Sequence, residues 1–200
     1  ADLHEEAPVW WLRVKQAVER GAALIVLNAR PTRLDKFARH LLYYAPGGAL
    51  PAVRELLALA HVDTGNPPAD SPAAVAATLM DAENLVVFYG AEGLTYDETD
   101  AVARMLGNLL SVKRGEGESA SSHAGRVNSG LVPVWSHSNT QGAWDMGIHP
   151  AFGPGYVATS AGRDATDIYA GAADGRVSAL FVLGADPVGD GLMDGRGKLS

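Results

Sequence analysis

The sequence predicts an α/β fold in which helices cover both faces of a parallel sheet. Three observations lead there. Short apolar runs without alternation, such as Ala23–Leu27, read as strands buried on both sides. Segments of helical periodicity with recognisable caps stand between them. The two kinds alternate along the chain, and alternating units of this sort wind parallel sheets.

Taken in order, Pro8 to Arg20 is predicted as a helix. Pro8 suits its first turn, Val9, Leu12, Val14, Ala17 and Val18 gather mostly on one side, and Gly21 stops it. Trp10 and Trp11 are adjacent and so point different ways, and one of them is expected to meet a neighbouring surface. Ala23–Leu27 is the first strand, with Asn28–Arg33 as the turn at its carboxyl end. Ala52–Ala60, carrying Val53, Leu56, Leu57 and Leu59, is a second helix. The turn-rich stretch Asp63–Ser71 marks a boundary between 1–62 and 63–200. Ser71 and Pro72 then open a helix as N-cap and first residue, running to about Asp81.

Leu85–Tyr89 is the next strand, ended by Gly90. Asp97–Leu110 is a helix with Val102, Met105, Leu106, Leu109 and Leu110 on its apolar side. Residues 114–130 form a polar loop rich in Gly and Ser. Leu131–Trp135 is a short strand, although Pro133 lacks the N–H that a ladder uses. Ser136–Thr159 is irregular, Asp164–Ala173 is a helix, and Val177–Leu183 is a last strand.

Composition narrows the function. The 200 residues suffice for one ordinary domain or two small ones. With 47% hydrophobic and 20% charged residues the chain is globular in character, and its net charge of −7 argues against a nucleic-acid face or a polybasic membrane anchor. The chain contains no cysteine, so it supplies no disulfide, thiolate nucleophile or thiolate ligand to zinc or an iron–sulfur cluster. No apolar run approaches the roughly 20 residues of a membrane helix. Asp2, Glu5 and Glu6 stand where a signal peptide would place positive charge. The first residue is not Met and the stretch Gly195–Ser200 closes no element, so the expectation is a piece of a longer polypeptide.

Parallel sheets bind ligands outside the carboxyl ends of their strands. The turns Asn28–Arg33, Gly90–Gly93, Ser136–Asp145 and Gly184–Asp190 are therefore where a site is expected. Gly115–Ala120 has the outline of a dinucleotide loop, but it follows a helix and its two Glu repel a pyrophosphate. The six histidines show no metal-ligand spacing, and His40 and His61 are expected at helix ends. Ser121-Ser122-His123 lacks a nucleophile elbow. Asp97, Glu98 and Asp100 suit the capping of a helix start. The richest stretch is Ser136–Pro150, where amides and a carboxylate are interleaved with glycines. It reads equally well as a ligand loop and as a loop that satisfies its own backbone.

Three of these stretches carry a resemblance. Asn139-Thr-Gln-Gly-Ala-Trp-Asp-Met-Gly147 followed by Pro154-Gly-Tyr156, then Gly175–Pro187, and Leu24–Thr32 earlier in the chain resemble, in family order, motifs of the molybdopterin oxidoreductase superfamily. Glu5–Val9, Thr32–Lys36, Ala82–Gly90 and Asn128–Trp135 look like the large iron–sulfur subunit of NADH–quinone oxidoreductase, respiratory complex I.

The resemblance implies two Rossmann-like parallel-sheet halves, with 1–62 part of the first and 63–200 forming the second. It implies a parent with iron–sulfur clusters upstream that passes electrons from NADH toward quinone, and a retained molybdopterin-like domain acting as scaffold. The implied partners are the rest of the parent subunit and other subunits of the peripheral arm, on the cytoplasmic side of the membrane and not inserted in it. By family position Asn28, Arg30, Asn139, Gln141, Asp145, Gly184 and Asp186 line the former pterin-nucleotide cleft. Asn28 and Ala29 stand where nucleotide-binding relatives usually carry Asp and Pro, and Asn is a mixed donor and acceptor. No catalytic residue, metal ligand or resident cofactor is expected in the chain itself. Two rival readings share these motifs. One is the alpha subunit of a molybdenum-dependent formate dehydrogenase holding molybdopterin guanine dinucleotide. The other is an independent nucleotide-binding module.

Overall fold

The computed structural model describes residues 1–62, 65–90, 94, 96–113, 122–135, 139–160 and 162–189. The dinucleotide-like run Gly115–Ala120, the turn residues 91–93 and the chain end after 189 lie outside the described residues, as does Ser121. The chain forms two compact units, Ala1–Ser136 and His137–Ser200.

The first unit is α/β, as the alternation predicts. A short helix α1 (Leu3–Glu6) precedes α2 (Pro8–Glu19), β1 (Ile25–Asn28), a 3-10 turn (Asp35–Phe37) and β2 (His40–Tyr43). Then come α3 (Ala49–Leu59), α4 (Pro72–Asp81), β3 (Val86–Gly90), α5 (Tyr96–Ser111) and β4 (Gly130–Val134). The strands make two separate parallel pairs. β1 pairs with β2, Ile25 opposite His40 and Asn28 opposite Tyr43. β3 pairs with β4, Val86 opposite Gly130 and Gly90 opposite Val134. α5 forms the crossover between β3 and β4, as a parallel connection requires. Pro133 is tolerated because in a two-stranded sheet every strand is an edge and one side of β4 needs no donor.

The caps behave as local chemistry dictates. Ser71 accepts the Ala74 N–H and Pro72 takes the first turn of α4. The core joins Val53 and Leu56 of α3, Val75, Ala76 and Leu79 of α4, and Val102, Leu106 and Leu109 of α5. α2 buries no residue completely, and Val9 and Leu12 face outward. Its two tryptophans both find rings: Trp11 meets His4 edge-on at 5.2 Å and Trp10 meets Phe88 at 5.4 Å.

Three expectations are corrected. Within Ser136–Thr159, expected to be irregular, Thr140–Asp145 forms a helix, because one turn closes locally without a partner strand. His40 is not at a helix end; it opens β2, a strand that no sequence pattern announces, and it is buried. Val177–Leu183 has strand composition yet forms no ladder. A strand exists only through hydrogen bonds to a neighbour. Among the described residues of the second unit the β pairing is a single bridge, Phe152 to Ala158. Phe181 is consequently 91% exposed. That unit is otherwise built from α6 (Thr140–Asp145), a 3-10 turn (Pro154–Tyr156) and α7 (Ala165–Ala173), which Asp164 caps by accepting the Asp167 N–H.

Candidate functional site at the strand ends

In the first unit the site begins where β1 stops. Asn28 is buried, and its Oδ1 accepts the Ala29 N–H at 2.7 Å and the Arg30 N–H at 3.4 Å. The side chain thus shapes its own turn, the usual use of Asn at a strand end. Arg30 projects toward α1, where Nη1 donates to Asp2 at 3.2 Å and Nη2 donates to Glu5 at 3.0 Å. Arg33 Nη1 donates to His4 Nε2 at 3.0 Å.

The next turn is closed by Asp35. Thr32 donates to it through both backbone and hydroxyl, at 3.0 and 2.6 Å, and the Tyr43 hydroxyl donates at 2.5 Å. Burial pushes the Asp35 carboxyl up, but the bonds from Thr32 and Tyr43 outweigh it and hold the group below its ordinary value. The same bond to Asp35 holds the Tyr43 phenol above its own.

A third constellation links β2 to the entry of α4. His40 Nε2 lies 3.0 Å from Thr78 Oγ1 and His40 Nδ1 lies 3.6 Å from Asp70. The order Thr, His, Asp resembles a nucleophile, base and orienting acid. The 3.6 Å separation exceeds a hydrogen bond, so the arrangement serves to hold β2 against α4.

The second unit contains the richest stretch. Asp145 Oδ1 accepts from Tyr156 Oη at 2.6 Å and from Gln141 Nε2 at 3.1 Å, and Gln141 also contacts the Tyr156 hydroxyl. The bond from Tyr156, with that from Gln141, holds the Asp145 carboxyl below its usual range. The bond to Asp145 in turn raises the Tyr156 phenol. Gly147 has φ +84°, and a Cβ there would stand 2.6 Å from Pro154 N and Cδ, so only glycine fits. Rings line this stretch: Trp144 meets His149 at 5.6 Å, and His149 meets Phe152 at 4.9 Å. Asn139 precedes α6, and Asp186 accepts the Gly189 N–H at 2.9 Å just after Gly184, whose φ is +66°. Among the described residues, no group of three His, Asp or Glu is placed to hold a metal ion.

No family model matches the chain. Comparison with curated proteins does find relatives. The NADPH-Fe(3+) oxidoreductase subunit alpha of Geobacter sulfurreducens is 28% identical across 94% of the chain and 27% of the relative. An NADH-quinone oxidoreductase subunit of Rhizobium meliloti is 28% identical across 94% of the chain and 25% of the relative. The chain is similar to oxidoreductase subunits linked to NADH or NADPH. It spans about a quarter of the length of the curated relatives it matches.

The residues expected in the cleft fall in both units: Asn28 and Arg30 in the first, Asn139, Gln141, Asp145, Gly184 and Asp186 in the second. The side chains of Asn28, Arg30, Gln141, Asp145 and Asp186 bond to nearby chain within their own units, while Asn139 makes no side-chain cap to α6. Tyr156 is the member that residue-type reasoning missed, although Pro154-Gly-Tyr156 belongs to the motif. A pterin dinucleotide brings a pyrophosphate, and the surroundings of Arg30 do not fit one: two carboxylates already occupy its guanidinium.

Proposed function

We propose that this chain is a scaffold portion of the iron–sulfur subunit of an NADH–quinone oxidoreductase. The observation that carries this reading is its likeness, along 94% of its length, to subunits of two NAD(P)H-linked oxidoreductases. The parent complex moves electrons from NADH to quinone, using iron–sulfur clusters held elsewhere in the subunit. A chain without cysteine contributes no thiolate to those clusters. Its work is mechanical: it packs against the rest of the parent and against other subunits of the peripheral arm, at the cytoplasmic face of the membrane. No helix among the described residues is long and apolar enough to cross a membrane.

The two Rossmann-like halves of this reading, 1–62 and 63–200, each contain one parallel strand pair, β1–β2 and β3–β4. Of the former cleft residues Asn28, Arg30, Asn139, Gln141, Asp145, Gly184 and Asp186, the side chains of Asn28 and Asp186 then brace turns, Arg30 ties its turn to α1, and Gln141 and Asp145 join α6 to Tyr156. The Geobacter relative supports a second reading of the parent's acceptor, in which NADPH electrons pass to ferric iron.

Metal content and acceptor assays on the purified parent complex test both. The scaffold reading expects iron and sulfide at cluster stoichiometry with far less than one molybdenum per chain. A full equivalent of molybdenum with a pterin dinucleotide overturns it in favour of a formate dehydrogenase. Quinone-coupled oxidation of NADH supports the first acceptor, and preferential reduction of ferric citrate by NADPH supports the second.

A further inference from the structure

α1 is one turn long, too short to be stable alone, yet Asp2 and Leu3 tie it to the rest of its unit. Asp2 caps it by accepting the His4 N–H at 3.1 Å. Leu3 is 4% exposed and packs with Val26 of β1, with Leu34, and with Val134 at the end of β4. Ala1 lies against Gly90, the last residue of β3: a Cβ at Gly90 would stand 2.8 Å from the Ala1 Cβ. Residues 1–6 therefore lie over the carboxyl ends of strands from both parallel pairs. Ligands of parallel α/β sheets bind at that place.

The charges follow the same geometry. The turn after β1 carries two cations: Arg33 bonds to His4 at 3.0 Å, and Asp2 and Glu5 hold the Arg30 guanidinium at 3.2 and 3.0 Å. A phosphate binding bidentately would need the same two nitrogens that Asp2 and Glu5 now take one each. It would also meet two carboxylates of its own sign. The Asp2 side chain is 4% exposed, so salt screens its charge little.

We infer that residues 1–6 are an intrachain plug: the Asp2 and Glu5 carboxylates take the anion position at Arg30, Leu3 fills the space beside it, and the crevice rejects phosphate-bearing ligands while the segment stays seated. The turn itself does not depend on the plug, because Asn28 supplies its bracing. The inference stands on this geometry alone and does not need the scaffold reading.

The test uses the whole parent polypeptide. Inorganic phosphate and GMP are titrated by calorimetry into the native protein, a D2N/E5Q variant, and a D2N/E5Q/R30Q variant. Asn caps a helix as well as Asp, so D2N removes charge while keeping the cap. The plug predicts that D2N/E5Q binds one or both probes at least about tenfold more tightly than the native protein, a difference of roughly 1.4 kcal/mol or more. It also predicts that R30Q abolishes the gain. Equal binding by native and D2N/E5Q proteins, no binding by either, or a gain that survives R30Q overturns it. Should D2N/E5Q fail to fold by circular dichroism, hydrogen exchange on the native protein decides. The Ala7 amide, which donates to Leu3 O at 3.1 Å, is then expected to be protected like the strands. Exchange of that amide at the rate of an unfolded chain overturns the plug.

Discussion

Tyr156 donates its hydroxyl to Asp145 at 2.6 Å while its own backbone stands at φ +63°, a left-handed conformation that bulky residues rarely adopt. The chain accepts this strain where it brings an aromatic ring to the one carboxylate of α6. The phenol is raised by that bond and the carboxyl lowered by it.

The pH dependence of this link has two edges. A carboxyl whose folded value is depressed stabilises above its ordinary range near 3.9, and that contribution is lost as pH falls through the depressed value. A phenol whose folded value is raised stabilises below about 10 and loses its contribution as pH rises through the raised value. Between these ranges the link is intact. Carboxyl-detected NMR titration is expected to show the Asp145 midpoint below that of an ordinary Asp, and moving back up in Tyr156→Phe. An unchanged midpoint in that variant contradicts the link.

Gly147 tests the same stretch through the backbone. Its φ of +84° and the Pro154 ring 2.6 Å from any added Cβ both oppose a side chain. Gly147→Ala should destabilise this unit by about 1–3 kcal/mol, the usual cost of a forced left-handed residue. Thermal unfolding reads it as a lower Tm.

His40 offers a buried polar test. Thr78→Val keeps the shape of the side chain and removes the oxygen 3.0 Å from His40 Nε2. A buried donor or acceptor left unmatched costs about 1–3 kcal/mol. Urea unfolding should register that loss, whereas a change within about 0.5 kcal/mol would mean water replaces the hydroxyl freely.

The core and the open face of α2 should respond differently to the same truncation. Leu109 is 2% exposed at the junction of α3, α4 and α5, while Leu12 is 51% exposed. Leu109→Ala should cost about 2–5 kcal/mol. Leu12→Ala should stay within about 0.5 kcal/mol unless a partner covers α2. Comparing Leu12→Ala in the isolated chain and in the parent complex therefore reports whether that face is covered.

Helices and their caps were legible because their causes are local. Pro8, Ser71 with Pro72, and Asp164 act within one turn of themselves, and each opens its helix where the residue pattern places it. The polar turn at Asn28 was legible for the same reason. Strand pairing obeyed no such rule. β2 exists because β1 lies beside it, and Val177–Leu183, richer in strand-forming residues, stays unpaired among the described residues. The site divided along the same line. Gln141 and Asp145 are one helical turn apart, a spacing visible in sequence, but Tyr156 reaches Asp145 across 11 positions and Asp2 reaches Arg30 across 28. Contacts that span such distances depend on how the intervening chain folds back. Residue types declared what the polar groups were able to do, and packing chose which neighbours consumed them.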